Sequence, residues 1–99
     1  MSIKLITLKN NQTLICNITD QSKESVTFKE SLLIIAQNTK DGPMMGFSPF
    51  LDFSQEFKTG ITISKDDVLC INSPATELEN EYNKIFGSGI TIASTIPKL

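Results

Sequence analysis

From Ile3 to Ile35 the hydrophobic residues alternate through three segments, separated by two short polar turns, Lys9-Asn10-Asn11-Gln12 and Gln21-Ser22-Lys23-Glu24. Alternation with period two marks strands that bury one face, so three short antiparallel strands are expected almost from the first residue. In the middle segment Leu14, Cys16 and Ile18 share one face while Thr13, Asn17 and Thr19 share the other. Val26 and Phe28 restart the pattern after the second turn. A chain that opens on such a meander, with few catalytic side chains, is built to bind or assemble rather than to catalyse.

Beyond Ile35 the polar run Ala36 to Pro43 ends in Asp41-Gly42-Pro43, which is turn chemistry, and a loop or a long hairpin tip is expected there. Met44 to Phe57 then holds four of the six phenylalanines, interrupted by Pro49. Proline cannot donate to a ladder, so this stretch reads as an edge strand or as two shorter strands with a bend. An apolar edge of that kind invites pairing with another chain. Ile61-Thr62-Ile63 and Val68 to Asn72 read as strands flanking the tight turn Ser64-Lys65-Asp66-Asp67.

One helix follows. Ser73 is placed to cap it, Pro74 suits its first position, and Glu77, Glu79 and Glu81 put negative charge early in it. Leu78, Tyr82, Ile85 and Phe86 form one apolar stripe, and Gly87 is a natural stop. The tail carries one further alternating triplet, Ile90-Thr91-Ile92, which could add a strand, lie across a neighbour or stay disordered. The chain therefore divides into a β unit over residues 1–72, an amphipathic helix over 73–87 and a tail over 88–99, all in one domain.

Ninety-nine residues support one modest core, since a domain of this size buries roughly 60–70% of its unfolded surface. Nine lysines against eleven acids leave a net charge of -2, so no overall field attracts nucleic acid or an anionic membrane. Any anion binding must be local. His, Arg and Trp are absent, which removes the commonest general base, the bidentate phosphate fork and the best stacking platform. Thirteen isoleucines and the exclusive use of lysine point to an AT-rich genome.

Cys16 and Cys70 each lie in an apolar alternating run and are read as buried small hydrophobes rather than as a disulfide. The first residues lack a secretory layout and no apolar run reaches the roughly 20 residues that span a bilayer. A soluble, cytoplasmic protein is expected. Asp66-Asp67 is the nearest approach to a metal or acid–base pair, but neighbours in an extended chain face opposite ways, so a solvated turn is expected, with no metal and no cofactor. Met44-Met45 and the phenylalanines could form a ligand surface; core packing or a subunit interface explains them as well. No general base stands beside a nucleophile in a recognisable pattern, so neither an enzyme nor a small-molecule substrate is expected.

Leu8-Lys9-Asn10-Asn11-Gln12-Thr13-Leu14-Ile15-Cys16-Asn17-Ile18 resembles the first motif of Sm-like (LSm) proteins, with Asn11 and Cys16 standing where that family has glycines. With one residue deleted from the next loop, Ser22 falls at the family's aspartate, Ser25 at its asparagine, and Val26 and Phe28 at the apolar positions that follow. The second motif, an apolar residue before Arg-Gly-Asp/Asn and a final strand, is echoed by Ile63-Ser64-Lys65-Asp66-Asp67-Val68-Leu69-Cys70-Ile71, which keeps the aspartate and the apolar frame. The motifs cover about half the chain. The lysine and isoleucine bias is similar to Sm-like proteins carried by marine bacteriophages.

The resemblance implies a mainly β fold: a small, strongly bent, five-stranded antiparallel barrel of the SH3 type. Here a C-terminal helix stands in for the family's N-terminal one, and it is expected to pack over the open end of its own barrel or a neighbour's. The resemblance also implies a cyclic homo-oligomer of about five to seven subunits, built by pairing the fourth strand of one with the fifth of the next. Met45, Phe47, Phe50, Val68 and Cys70 are the interface candidates. Single-stranded RNA would then bind at the pore through Lys23, Ser25, Ser64, Lys65 and Asp66, although the family's stacking side chain and arginine are missing. The alternative is a protein–protein assembly module that does not bind RNA.

Overall fold

The computed structural model describes residues Ser2–Phe86, so the triplet Ile90-Thr91-Ile92 and the stop at Gly87 lie outside the described residues. Six strands form one antiparallel sheet: β1 (Ser2–Leu8), β2 (Thr13–Gln21), β3 (Ser25–Thr39), β4 (Gly42–Pro49), β5 (Ile61–Ser64) and β6 (Val68–Asn72). One helix, α1 (Thr76–Phe86), follows. The order is β4-β3-β2-β1-β6, with β5 also paired to β3. The protein is mainly β.

The count of six in place of five follows from one long edge of β3. β4 pairs with its far half, Leu32↔Pro49 through Thr39↔Gly42, and β5 with its near half, Ser25↔Ser64 through Phe28↔Ile61. The two strands run in the same direction along that edge. They are one line of pairing, broken at Pro49 and resumed at Ile61. Phe50 to Gly60 leave the sheet between them, and the short 3-10 turn Gln55–Phe57 lies in that excursion. The tip at Lys40-Asp41 closes a long hairpin. Beyond Leu33 β2 no longer accompanies β3, so the end of the hairpin is a two-stranded ribbon.

Strict alternation fails in β3. Ile15 pairs with Leu32 but Asn17 with Lys29, so Glu30 and Ser31 together oppose Cys16. Glu30 has φ +53°, an uncommon backbone region for a side-chain-bearing residue. This bulge exchanges the two faces. Val26 and Phe28 join Ile6, Leu14, Cys16 and Ile18 in one cluster, which Leu33 continues. Leu32 turns the other way and meets Ile15 and Tyr82 in a second cluster. β2 is therefore buried on both faces at Leu14, Ile15 and Cys16.

The helix forms that second core by docking on its own chain. Leu78, Tyr82 and Phe86, at i, i+4 and i+8, pack over Ile3, Leu5, Ile15 and Leu32, on a face of the sheet. Ile85 falls outside the stripe and is exposed. The helix starts at Thr76, later than Ser73 and Pro74 suggest: the Glu79 amide donates to the Ala75 carbonyl at 3.0 Å, and the Ser73 hydroxyl accepts a bond from the Lys4 ammonium at 2.9 Å.

Cys70 corrects a sequence expectation. Cys16 is buried, but Cys70 is exposed, its thiol 3.3 Å from the Asn72 amide. A register shift between Thr7 and Leu8 turns both Val68 and Ile71 into the first core and leaves Leu69 and Cys70 facing out.

Candidate nucleic-acid interface

Two turns meet at one end of the β3–β5 ladder. In the β2–β3 turn the Ser22 hydroxyl accepts the Glu24 and Ser25 amides at 3.2 and 3.1 Å, while the Ser22 amide donates to the Ser25 carbonyl at 2.9 Å. Short polar side chains suit such turns because they stand in for a backbone partner. On the facing side the Ser64 hydroxyl accepts the Asp66 amide at 3.1 Å and caps the 3-10 turn Lys65–Asp67. The Lys65 amide donates to the Glu24 carbonyl at 2.8 Å and ties the two turns together.

All five residues expected at an RNA site are thus neighbours. Ser25 and Ser64 are register partners, and Lys23, Ser25, Ser64, Lys65 and Asp66 line one cleft of about 640 Å³. Sequence reasoning missed Thr62, which lines the same cleft. Its signal is the polar middle of Ile61-Thr62-Ile63: strand parity puts Thr62 opposite the core face and gives it a hydroxyl contact with Thr27 at 2.7 Å. Ser25, Thr27, Thr62 and Ser64 make a hydroxyl row with Val26, Phe28, Ile61 and Ile63 packed behind it.

The charges of the cleft are mixed. Lys23 is exposed and Lys65 half-buried, and the carboxylates of Glu24 and Asp66 line the same space. No aromatic residue is among its lining. It offers ammonium groups, hydroxyls and carboxylates, which suits contacts to phosphate and sugar better than stacking.

Of the expected interface residues, Met45 is 58% exposed and Cys70 is also exposed. Phe47 packs on the helix-side core, while Phe50 and Val68 pack on the other. These three are committed largely within the chain. The outer edges of β4 and β6, at the two ends of the strand order, carry no ladder among the described residues.

A larger cleft of about 740 Å³ lies between α1 and the sheet. Asn17 lines it with a buried side-chain oxygen that has no hydrogen-bond partner. Among the described residues no group of three or more Cys, Asp or Glu side chains is arranged to hold a metal ion. No helix among them is long and apolar enough to cross a membrane. Neither a protein-family model nor a curated protein matches the sequence.

Proposed function

We propose that the chain is a divergent Sm-like subunit whose sheet curls into a small barrel, that it assembles into a cyclic homo-oligomer, and that it binds single-stranded RNA weakly through the cleft between its two turns. The observation that carries the reading is the junction of those turns. Residues 40 positions apart in sequence, Ser25 and Lys65, lie at the same cleft, as the resemblance implies for a pore. The barrel is supported by β5 on β3 and β6 on β1, joined by only three residues, which draws the two flanks of the sheet together. Assembly is supported by the outer edges of β4 and β6, which carry no ladder among the described residues. One Lys23 and one Lys65 per subunit become two circles of cations under cyclic symmetry.

The acids beside those lysines favour a second reading, an assembly module without RNA. Glu24 and Asp66 within the cleft weaken the field that a phosphate would meet. Fluorescence anisotropy with oligo-U and oligo-A at low and physiological salt separates the readings. The first predicts salt-sensitive binding that Lys23→Glu with Lys65→Glu abolishes. No binding at tens of micromolar, in a protein that is still oligomeric, leaves the second.

A further inference from the structure

The floor of the cleft between α1 and the sheet is a row across three strands. Ile3 pairs with Asn17 and Asn17 with Lys29, so the three side chains share one face. The wall is a helix stripe, Glu79, Tyr82, Asn83 and Phe86, at i, i+3, i+4 and i+7. Asn17 brings to this cleft a buried oxygen without a hydrogen-bond partner, whereas buried acceptors are ordinarily satisfied. Lys29 is half-buried, and the one ion pair among the described residues joins Lys84 to Glu81, which leaves the Lys29 ammonium unpaired. Phe86 is half-buried as well, its ring 5.0 Å from that of Tyr82.

This cleft and the one between the two turns open on the same face of β3. Ser25, Thr27 and Lys29 alternate with Val26 and Phe28, which are buried in the first core, so the three point the other way. β3 stays regular over this stretch, because its bulge comes only at Glu30 and Ser31. Ser25 lines the turn cleft and Lys29 the helix cleft, about 13 Å apart at about 3.3 Å per residue, with Thr27 and its register partner Thr62 between them. A strand that follows β3 therefore meets hydroxyl groups between two lysine-bearing clefts.

We propose that bound RNA leaves the turn cleft along this face and sets a further nucleotide under α1, with its phosphate at Lys29, its base on Phe86 and a base N–H on Asn17. The subsite rests on the RNA reading above and supplies what the turn cleft lacks, an aromatic surface. Stacking on a ring tolerates every base, and the asparagine amide favours one that presents a donor to its oxygen. Of the two lysines lining the cleft, Lys4 is bonded to the Ser73 hydroxyl, and Glu30 and Glu79 offset their charge. Contacts to base and sugar therefore outweigh the net field here.

Fluorescence anisotropy with an oligo-U of about ten nucleotides compares the parent chain with Lys29→Ala and Phe86→Leu, their folds checked by circular dichroism. Lys29→Ala should weaken binding about three- to tenfold and lower the salt slope by about one. Phe86→Leu keeps an apolar side chain against Tyr82 and should weaken binding about tenfold with the salt slope unchanged. Photo-crosslinking of the parent with a thiouridine oligonucleotide, read by mass spectrometry, should label β3 at Lys29 or α1 at Phe86 in addition to the turns. Unchanged affinity in either variant, or crosslinks confined to Ser22–Ser25 and Thr62–Asp66, overturns the subsite and leaves the RNA reading standing. A parent that binds no RNA at tens of micromolar overturns both together.

Discussion

The Tyr82 hydroxyl donates a 2.7 Å hydrogen bond to the Glu30 carbonyl, joining the only α-helix among the described residues to the residue that bulges β3. The bulge is what turns Leu32 away from the first core, and the helix is what covers Leu32 once it has turned. Helix and bulge depend on each other. Tyr82→Phe should cost about 1 kcal/mol in urea unfolding by removing the bond alone. Tyr82→Ala, which also empties the packed site, should cost about 3–5 kcal/mol. Equal stability of parent and Tyr82→Ala would show that the helix contributes nothing to the fold.

Glu30 sits in the left-handed region, where a branched side chain clashes and glycine does not. Glu30→Val should therefore destabilise by about 1–2 kcal/mol, while Glu30→Gly stays within about 1 kcal/mol of the parent. Chemical denaturation of the pair measures the difference. A Val variant as stable as the Gly variant would mean that the bulge is not held at Glu30.

Burial pushes the Cys16 thiol up to about 12 from an ordinary value of 9.0. Between those values the folded chain keeps a proton that the unfolded chain has released, so stability should fall as pH rises. The slope is at most about 1.4 kcal/mol per pH unit for one such group, and the contribution is intact below pH 9. Burial first, then the Glu30 carboxylate and Cys16, pushes the Tyr82 phenol up as well, which adds a loss of the same sign that begins above its ordinary value of 10.0 and so overlaps the upper part of the Cys16 range. Cys16→Ala should flatten the decline from pH 9 to 11 in thermal unfolding. An unchanged slope would assign the decline to other groups.

The two thiols should separate cleanly in labelling. Cys70, exposed on β6, should react promptly with a thiol reagent at neutral pH, whereas Cys16 should react only as the chain unfolds. Two equivalents released at one rate would contradict the register shift that turns Cys70 outward.

Local rules gave the elements their type and approximate places. Alternation located β1, β2 and the start of β3, turn chemistry located the tip before Pro43, and the Leu78, Tyr82 and Phe86 spacing located the helix face. Proline at position 49 does end β4, because a residue without an amide hydrogen cannot continue a ladder, but the strand expected to run on from it as far as Phe57 does not form: Phe50 to Gly60 leave the sheet, with only the 3-10 turn Gln55–Phe57 among them. Asn11 holds a left-handed conformation, φ +71°, in the β1–β2 turn, a region that asparagine visits more readily than most side chains. The grouping of Lys23, Ser25, Ser64, Lys65 and Asp66 was legible only through spaced motifs, since no periodicity within 40 residues records which turns will meet.

What the tertiary structure decided is which side of the sheet each apolar residue serves. Alternation assigns Glu30 and Leu32 to the face of Val26 and Phe28, and assigns Cys70 to the face of Val68. One inserted residue in β3 and one register shift at β6 reverse those assignments. Neither leaves a local mark, because a bulge is chosen by what its two faces can bury: Leu32 gains the helix, and Val68 gains the core. The sequence by itself set the strands, their turns and an amphipathic helix seeking a partner. Packing decided that β2 would be buried on both faces, since only the assembled sheet and helix determine which exchange of faces removes more apolar surface from water.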